Sequence, residues 1–204
     1  MAFADLGEVQ MFFTDEGAGD PPLVFVHGYS CDSHDWSWQL PHFAQKHRVV
    51  AVDLRGHGRS SAPPGGYSPE QLASDVAALL ESLDLARVVA VGHSLGGAVV
   101  SALAVEYPAL VAGLVCVDPA YLLPDETGVN AAPMIAALNE MDPVPLVQQL
   151  FGAFASPAQD PGLRMWQLRR VAGVPAHLKV SDDDDLGADE RSGSSGLSSC
   201  RGGE

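Results

Sequence analysis

Short apolar runs recur along the first 120 residues, and each gives way to a turn or a helical pattern. The runs are rich in β-branched side chains, which is typical of strands that are buried on both faces. They predict parallel strands at residues 23–26, 49–52, 87–91 and 112–117, with an edge strand at residues 8–14. Helical patterns fill the intervals at residues 36–46, 69–83 and 95–107. This alternation predicts an α/β fold with a mostly parallel sheet flanked by helices.

The pattern changes after Pro119, where strand-like runs give way to helical stretches. These stretches cover Met134 to Met141, Val144 to Phe154 and Leu163 to Ala172. We interpret residues 121–180 as a helical cap over the carboxyl edge of the sheet, where ligands bind in open α/β folds. Residues 181–204 are rich in Asp, Ser and Gly, and we expect this tail to be disordered. The predicted division is therefore a core at 1–120, a cap at 121–180 and a tail at 181–204.

Composition narrows the possible partners. The 204 residues carry 11 Lys and Arg against 26 Asp and Glu, a formal net charge of −15. Such a negative field repels phosphate backbones and anionic lipid, so we expect neither nucleic-acid nor membrane-surface binding. No apolar run is long enough to span a membrane, and the first residues do not resemble a signal peptide, so we expect a cytoplasmic protein. Three scattered cysteines fit neither a disulfide framework nor a zinc site.

The strongest chemical signal is the segment Gly92-His93-Ser94-Leu95-Gly96, which joins the third buried strand to a helix rich in small residues. In such a G-x-S-x-G turn the serine is raised above the sheet, and the glycines allow strand and helix to approach closely. The Ser94 hydroxyl would attack an acyl carbonyl, and the backbone N–H of Leu95 would donate to the oxyanion. A second donor is expected from the loop after the first buried strand, where the backbone N–H of Tyr29 is our candidate.

Five motifs in order make the resemblance specific: LVFVHGYS, W-x-x-x-L-P-x-F-A, RVVAVDLRGHGRS, VVAVGHSLGG and LVCVDPA. Together they resemble the α/β-hydrolase superfamily, in the branch of serine esterases and lipases, densely over residues 8–120 and loosely over the cap. The resemblance implies Ser94 as nucleophile, Tyr29 and Leu95 as oxyanion hole, and no metal or cofactor. It also implies a mainly structural role for residues 53–60. His27 is interpreted as a structural hydrogen-bonding residue beneath its loop.

The catalytic base and acid do not follow the family pattern, in which an Asp or Glu and then a His come after the serine. Six of the seven histidines precede Ser94, and only His177 follows it, without a matching motif. Asp118 ends the fourth buried strand, where some relatives place their acid, although a structural carboxylate is the favoured interpretation. The family-like register breaks into the acidic tail near residue 180. A frameshift or truncation there, with the later strands missing, is the expected explanation.

Three functions remain open. The leading interpretation is a serine hydrolase acting on a small ester or related acyl substrate, catalytically incomplete over these 204 residues. Acyltransferases, perhydrolases and C–C bond hydrolases would use the same constellation. The third is a non-catalytic remnant that binds a ligand. Apolar cap residues are candidates to line an acyl pocket, although such a helical stripe is more often plain packing: Met134, Leu138, Phe151, Phe154 and Trp166. The oligomeric state is left open.

Overall fold

The computed structural model describes residues 1–120, 143–154, 160–173 and 175. Its centre is one six-stranded sheet with the strand order β1-β2-β4-β3-β5-β6. The strands are β1 Ala2–Asp5, β2 Gln10–Glu16, β3 Leu23–Val26, β4 Val49–Val52, β5 Val88–His93 and β6 Val111–Val117. Strands β4, β3, β5 and β6 run parallel, whereas β1 and β2 pair antiparallel at one side. The predicted α/β class and all four predicted parallel strands are confirmed.

One strand was missed, and the prediction of an edge strand at residues 8–14 was wrong in part. That strand is β2, Gln10–Glu16, and it is not the edge, because β1 pairs with it on the outer side. β1 has four residues, too few for a clear alternating pattern. It pairs with β2 over its whole length, and the rings of Phe3 and Phe12 also meet edge to face across the two strands, with centroids 5.2 Å apart.

The helices flank the sheet. A 3₁₀-helix at Ser33–Trp36 precedes α1 Leu40–Phe43, and the longer helices are α2 Pro69–Ser82, α3 Leu95–Glu106, α4 Pro143–Phe154 and α5 Pro161–Val171. The helix predicted at residues 36–46, with an interruption at Pro41, is limited in the structure to the four residues of α1, since Pro41 lacks the N–H that a longer helix needs. Helix α2 begins as predicted, with the Ser68 hydroxyl accepting from the backbone N–H of Gln71 at 3.2 Å.

Two apolar clusters lie on opposite faces of the sheet, because successive side chains of a strand point to opposite sides. On one face, residues of β3 and β4 pack against α2 and α3: Val24, Val26, Val50, Val52, Leu72, Val76, Leu79, Leu80, Val99 and Leu103. On the other face, the alternate residues pack against the segment after β3: Leu23, Phe25, Val49, Ala51, Trp36 and Leu40. The two central strands are thus buried on both faces, as their continuous apolar runs predicted.

Strand β6 forms the other side of the sheet, and among the described residues it pairs only with β5. Its side chains are apolar on both faces and considerably exposed: Leu114 at 44%, Val115 at 45% and Val117 at 43%. An edge strand that faces water normally carries charged or polar residues. The composition of β6 is therefore that of a strand covered on both faces.

Helices α4 and α5, here called the cap helices, correspond to two of the three helices predicted after Pro119. They contact each other through the Gln148 side-chain amide, which donates to the backbone carbonyl of Leu168 at 3.2 Å. They also meet the loop that follows the carboxyl end of β3, through Tyr29 and Asp35. The predicted helix at residues 134–141 and the predicted disordered tail at 181–204 lie outside the described residues. None of the described helices is long and apolar enough to cross a membrane.

Candidate active site

Ser94 stands at the junction of β5 and α3 with φ 52° and ψ −119°, a backbone conformation that a residue with a side chain seldom adopts. Three hydrogen bonds hold it there. The N–H of Ser94 donates to the carbonyl of Val117 at 3.1 Å, and its own carbonyl accepts from Gly97 at 2.9 Å and from Ala120 at 3.0 Å. The turn at residues 92–96, here called the Ser94 turn, is therefore fixed both by its own helix and by the end of β6.

The glycines of this segment are required by close backbone approaches. A Cβ atom on Gly92 would lie 2.1 Å from the carbonyl oxygen of Gly96, and one on Gly96 would lie 2.3 Å from that of Val26. A Cβ on Gly97 would meet the Pro119 side chain at 2.6 Å. Real Cβ contacts are essentially never as short as these, so a side chain at any of the three would force the adjoining segments apart.

The two predicted oxyanion donors belong to two segments that both adjoin Ser94. Leu95 is the first residue of α3, so its N–H belongs to the helix N-terminus, where backbone donors lack intrahelical acceptors and the helix dipole is positive. The loop after β3 lies directly against the serine, since a Cβ on Gly28 would be 3.2 Å from the Cβ of Ser94. Tyr29 is the next residue of that loop. The arrangement can present two backbone N–H groups to an oxygen bound above Ser94.

The Tyr29 side chain packs between His57 on one side and helices α4 and α5 on the other. Its ring meets the buried His57 ring edge to face, with centroids 5.9 Å apart, and it packs against the apolar cluster around Val147 and Val171 of the cap helices. Burial raises the pKa of the Tyr29 phenol to about 12, so this group stays neutral at physiological pH. The turn at residues 28–31, here called the Tyr29 turn, is therefore in contact with helices α4 and α5.

Two buried histidines beneath this loop bond to the backbone. His27 donates from Nδ1 to the Gly28 carbonyl at 2.7 Å and accepts at Nε2 from the N–H of Leu54 at 3.0 Å, so both nitrogens are used. Burial lowers the pKa of His27 and, to about 3, that of His57. The structural interpretation of His27 agrees with these contacts, and neither ring is placed as a general base. His57 lies in the segment 53–60, for which a mainly structural role was expected, but its burial against His27 was not predicted.

The remaining acid–base candidates do not form a triad with Ser94 in the described part of the chain. No histidine there hydrogen-bonds to the Ser94 hydroxyl. The Nδ1 atom of His93 lies beside Gly28, 3.3 Å from the position that a Cβ on Gly28 would occupy. Asp118 follows β6, is exposed, has φ 45° and bonds to none of the described histidines. His177 lies outside the described residues. The interpretation of Asp118 as an acid therefore stays an unsupported prediction.

The segment after β4, residues 53–60, is hydrogen-bonded to the segment that follows β3. Asp53 accepts from the backbone N–H of Ser33 at 2.8 Å, and from the backbone N–H and the Nε of Arg59 at 2.9 and 2.8 Å. Burial alone would raise the pKa of Asp53, but these hydrogen bonds lower it, so the carboxylate stays charged. Arg55 forms a two-point ion pair with Asp75, each contact 2.8 Å long. These contacts agree with the structural role expected of residues 53–60.

The described residues contain no group of three His, Cys, Asp or Glu that could hold a metal ion.

Comparison with known proteins agrees with this geometry. Residues 21–173 match the model of a family described as the alpha/beta hydrolase fold. The chain belongs to this family. Over 87% of its length, this α/β hydrolase also superposes on a thermophilic esterase from Thermogutta terrifontis, with a TM-score of 0.76 and 27% sequence identity, covering 67% of that chain.

Curated relatives of this α/β hydrolase have diverse activities. It is 34% identical, over 91% of its length, to the dihydrolipoyllysine-residue acetyltransferase component of the acetoin cleaving system of Pseudomonas putida, covering 52% of that protein. It is 42% identical, over 49% of its length, to a bifunctional esterase/perhydrolase of Acinetobacter calcoaceticus, covering 37% of that protein. The chain thus spans about half, or less, of the length of the curated relatives it matches.

Proposed function

We propose that this α/β hydrolase is a serine hydrolase in which the Ser94 hydroxyl attacks the acyl carbonyl of a small ester or a related acyl compound. The observation that carries the proposal is the backbone of Ser94: a strained φ of 52° at a strand–helix junction, fixed by three backbone hydrogen bonds. Strain of this kind persists only where the surroundings enforce it. In such a turn the serine hydroxyl is presented above the carboxyl ends of the parallel strands.

In the proposed reaction, Ser94 Oγ forms a bond to the acyl carbon while the hydroxyl proton passes to a base. The carbonyl oxygen becomes an oxyanion that accepts from the backbone N–H groups of Leu95 and Tyr29. Loss of one such donor typically costs about 10²–10³ in rate. The alcohol then leaves, and water attacks the acyl-serine in the second half of the reaction. The names of the relatives include an esterase/perhydrolase and an acetyltransferase component, which supports acyl chemistry and leaves the acyl acceptor open.

The base is the element that the described residues do not supply. His27 and His57 are buried and bonded to backbone carbonyls, and burial lowers the pKa of both. Removal of a serine triad costs on the order of 10⁶ in kcat, which is about 8 kcal/mol of transition-state stabilisation. We therefore expect the 204-residue chain alone to hydrolyse simple esters far more slowly than a serine esterase with its triad.

Rescue by an external base tests this proposal. Hydrolysis of a nitrophenyl ester is measured over a range of imidazole concentrations with the unaltered chain, Ser94→Ala and Ser101→Ala. Ser101 lies one helical turn along α3 with its hydroxyl donating to the Gly97 carbonyl, so its variant is the matched control. We expect imidazole to accelerate the unaltered chain and Ser101→Ala beyond the background, which Ser94→Ala reports. Equal rates for all three proteins would refute the proposal. Rapid, Ser94-dependent turnover without imidazole would show that these residues contain a base, and His177 is the first to test.

A further inference from the structure

Arg170 on cap helix α5 joins the cap to the core through a largely buried ion-pair cluster. Its Nη1 donates to Oδ1 of Asp35 at 2.6 Å, and its Nε lies 3.2 Å from Oδ2 of Asp32. The guanidinium also stacks over the Trp166 ring, 4.2 Å from the centroid. Only 13% of the Arg170 side chain is exposed. Because a charge that is removed from water must be paired, replacing only one of these residues would leave a buried charge without its partner and destabilise the fold.

The charge states fit a permanent contact. Burial alone would raise the pKa of Asp35, but the hydrogen bond and charge of Arg170 outweigh it and hold that pKa below its ordinary value. Asp35 and Arg170 therefore stay ionised in the neutral pH range. The exposed neighbour Arg169 has no described contact of this kind, so it offers a matched comparison on the same helix.

The two acids lie just after the Tyr29 turn. Asp32 caps the 3₁₀-helix Ser33–Trp36 by accepting from the backbone N–H of His34 at 2.8 Å. Burial and then the nearby charge of Asp35 raise the pKa of the Cys31 thiol. The backbone N–H of Cys31 donates to the carbonyl of Gly28 at 3.2 Å, which closes the turn that contains Tyr29. Arg170 thus pairs with Asp32, the residue directly after this turn, and with Asp35, whose backbone N–H donates to the Asp32 carbonyl at 3.1 Å.

A second contact reaches the same turn through apolar packing. Val171, the neighbour of Arg170, is 1% exposed, and Val147 of α4 is 3% exposed. Both belong to the cluster against which the Tyr29 side chain packs. The cap helices therefore contact this part of the chain in two ways. They pack against the Tyr29 side chain, and Arg170 pairs with Asp32 and Asp35, which follow the turn.

We propose that Arg170 is a positioning residue, which locks the cap helices to the Tyr29 turn and so keeps the Tyr29 backbone N–H directed towards the oxygen bound above Ser94. Its catalytic consequence rests on the proposed function of Ser94. Because Arg170 acts through the turn and not on the substrate, its loss should slow the chemical step more than it weakens binding.

The test is inactivation of Ser94 by a fluorophosphonate in imidazole buffer, which yields kinact and KI separately. We expect Arg170→Met to lower kinact tenfold or more, with a smaller change in KI, and Arg170→Lys to recover part of the loss. Arg169→Met should match the unaltered chain. Asp35→Asn should lower kinact similarly, and the double variant Arg170→Met with Asp35→Asn should lose less than the product of the two single effects.

Amide hydrogen exchange over residues 28–36 supplies a readout that does not depend on chemistry. We expect faster exchange there in Arg170→Met than in Arg169→Met. Unchanged exchange together with a kinact within twofold of the unaltered chain would overturn the proposal. Faster exchange with unchanged kinact would overturn the positioning role and leave only an anchoring one. If the unaltered chain does not react at Ser94, the proposed function fails, and the exchange result alone decides whether Arg170 holds the turn.

Discussion

The backbone N–H of Ser94 donates to the carbonyl of Val117, 3.1 Å away, so the strained turn of the proposed nucleophile is fastened to the last residue of β6. Ala120, just beyond that strand, returns a second bond to the Ser94 carbonyl at 3.0 Å. The conformation of Ser94 therefore depends on a strand that, among the described residues, pairs on one side only.

The exposed apolar side of β6 predicts self-association. Exposed edge strands with apolar side chains pair with other chains, and natural proteins block this with charged residues such as lysine. We expect Val115→Lys to reduce the aggregated fraction of the purified chain, as measured by light scattering. Val105→Lys, at an exposed position on helix α3, should not. Equal scattering from the two variants would show that association does not proceed through this edge.

Gly96→Ala should destabilise the protein severely. The added Cβ would lie 2.3 Å from the Val26 carbonyl oxygen and 2.6 Å from that of His27, and backbone atoms cannot rotate away as a side chain can. We expect a loss of about 3 kcal/mol or more in the free energy of unfolding, at the upper end of overpacking effects. Gly113→Ala on β6 is the control, since its nearest neighbour is a Val89 methyl at 3.5 Å. Denaturant titration of both variants decides, and similar losses would contradict the prediction.

His57 should make stability depend on pH. In the unfolded chain a histidine has a pKa of about 6.5, whereas burial lowers that of folded His57 to about 3. Between these values the unfolded state binds more protons, so the contribution of His57 to the free energy of unfolding falls as the pH drops through this window and does not change above it. Replacing His57 by Gln should reduce the slope by up to about 1.4 kcal/mol per pH unit. His42→Gln, at an exposed position, is the control, and an identical slope in both variants would refute the argument.

Asp75→Asn should cost more stability than Asp15→Asn, although each removes the acid from a two-point arginine contact. The Arg55–Asp75 pair is almost fully buried, with side chains 2% and 7% exposed, whereas Arg48 and Asp15 are 32% and 29% exposed. Leaving a buried charge unpaired costs about 3–5 kcal/mol, and an exposed pair is worth about 0–1 kcal/mol. Thermal or denaturant unfolding of both variants checks the ranking, and a reversed order would contradict it.

The sequence predicted most accurately what is local. The continuous apolar runs of β3 and β4 predicted that both strands are buried on both faces. The glycines around Ser94 predicted the turn, because positions where two backbone segments approach closely admit only glycine. The cap helices at 143–154 and 161–171 followed from their spacing in the same way.

What escaped prediction depends on contacts between distant residues. Arg170 and Asp35 are separated by 135 positions, and no periodicity relates them. His57 looked like part of a glycine-rich loop until the fold buried it between His27 and Tyr29. The position of β2 in the sheet depended on β1, a strand too short to carry a pattern of its own.

The most direct test of the central claim, that Ser94 is the nucleophile, is to locate the adduct formed with a fluorophosphonate in imidazole buffer, which supplies the base. In that reaction the serine oxygen bonds to phosphorus and fluoride leaves, so mass spectrometry of the intact chain and its peptides identifies the modified residue. We expect one adduct per chain, on Ser94, with none on Ser94→Ala and normal labelling of Ser101→Ala. Labelling of Ser94→Ala at the rate of the unaltered chain, or adducts spread over several serines, would contradict the account.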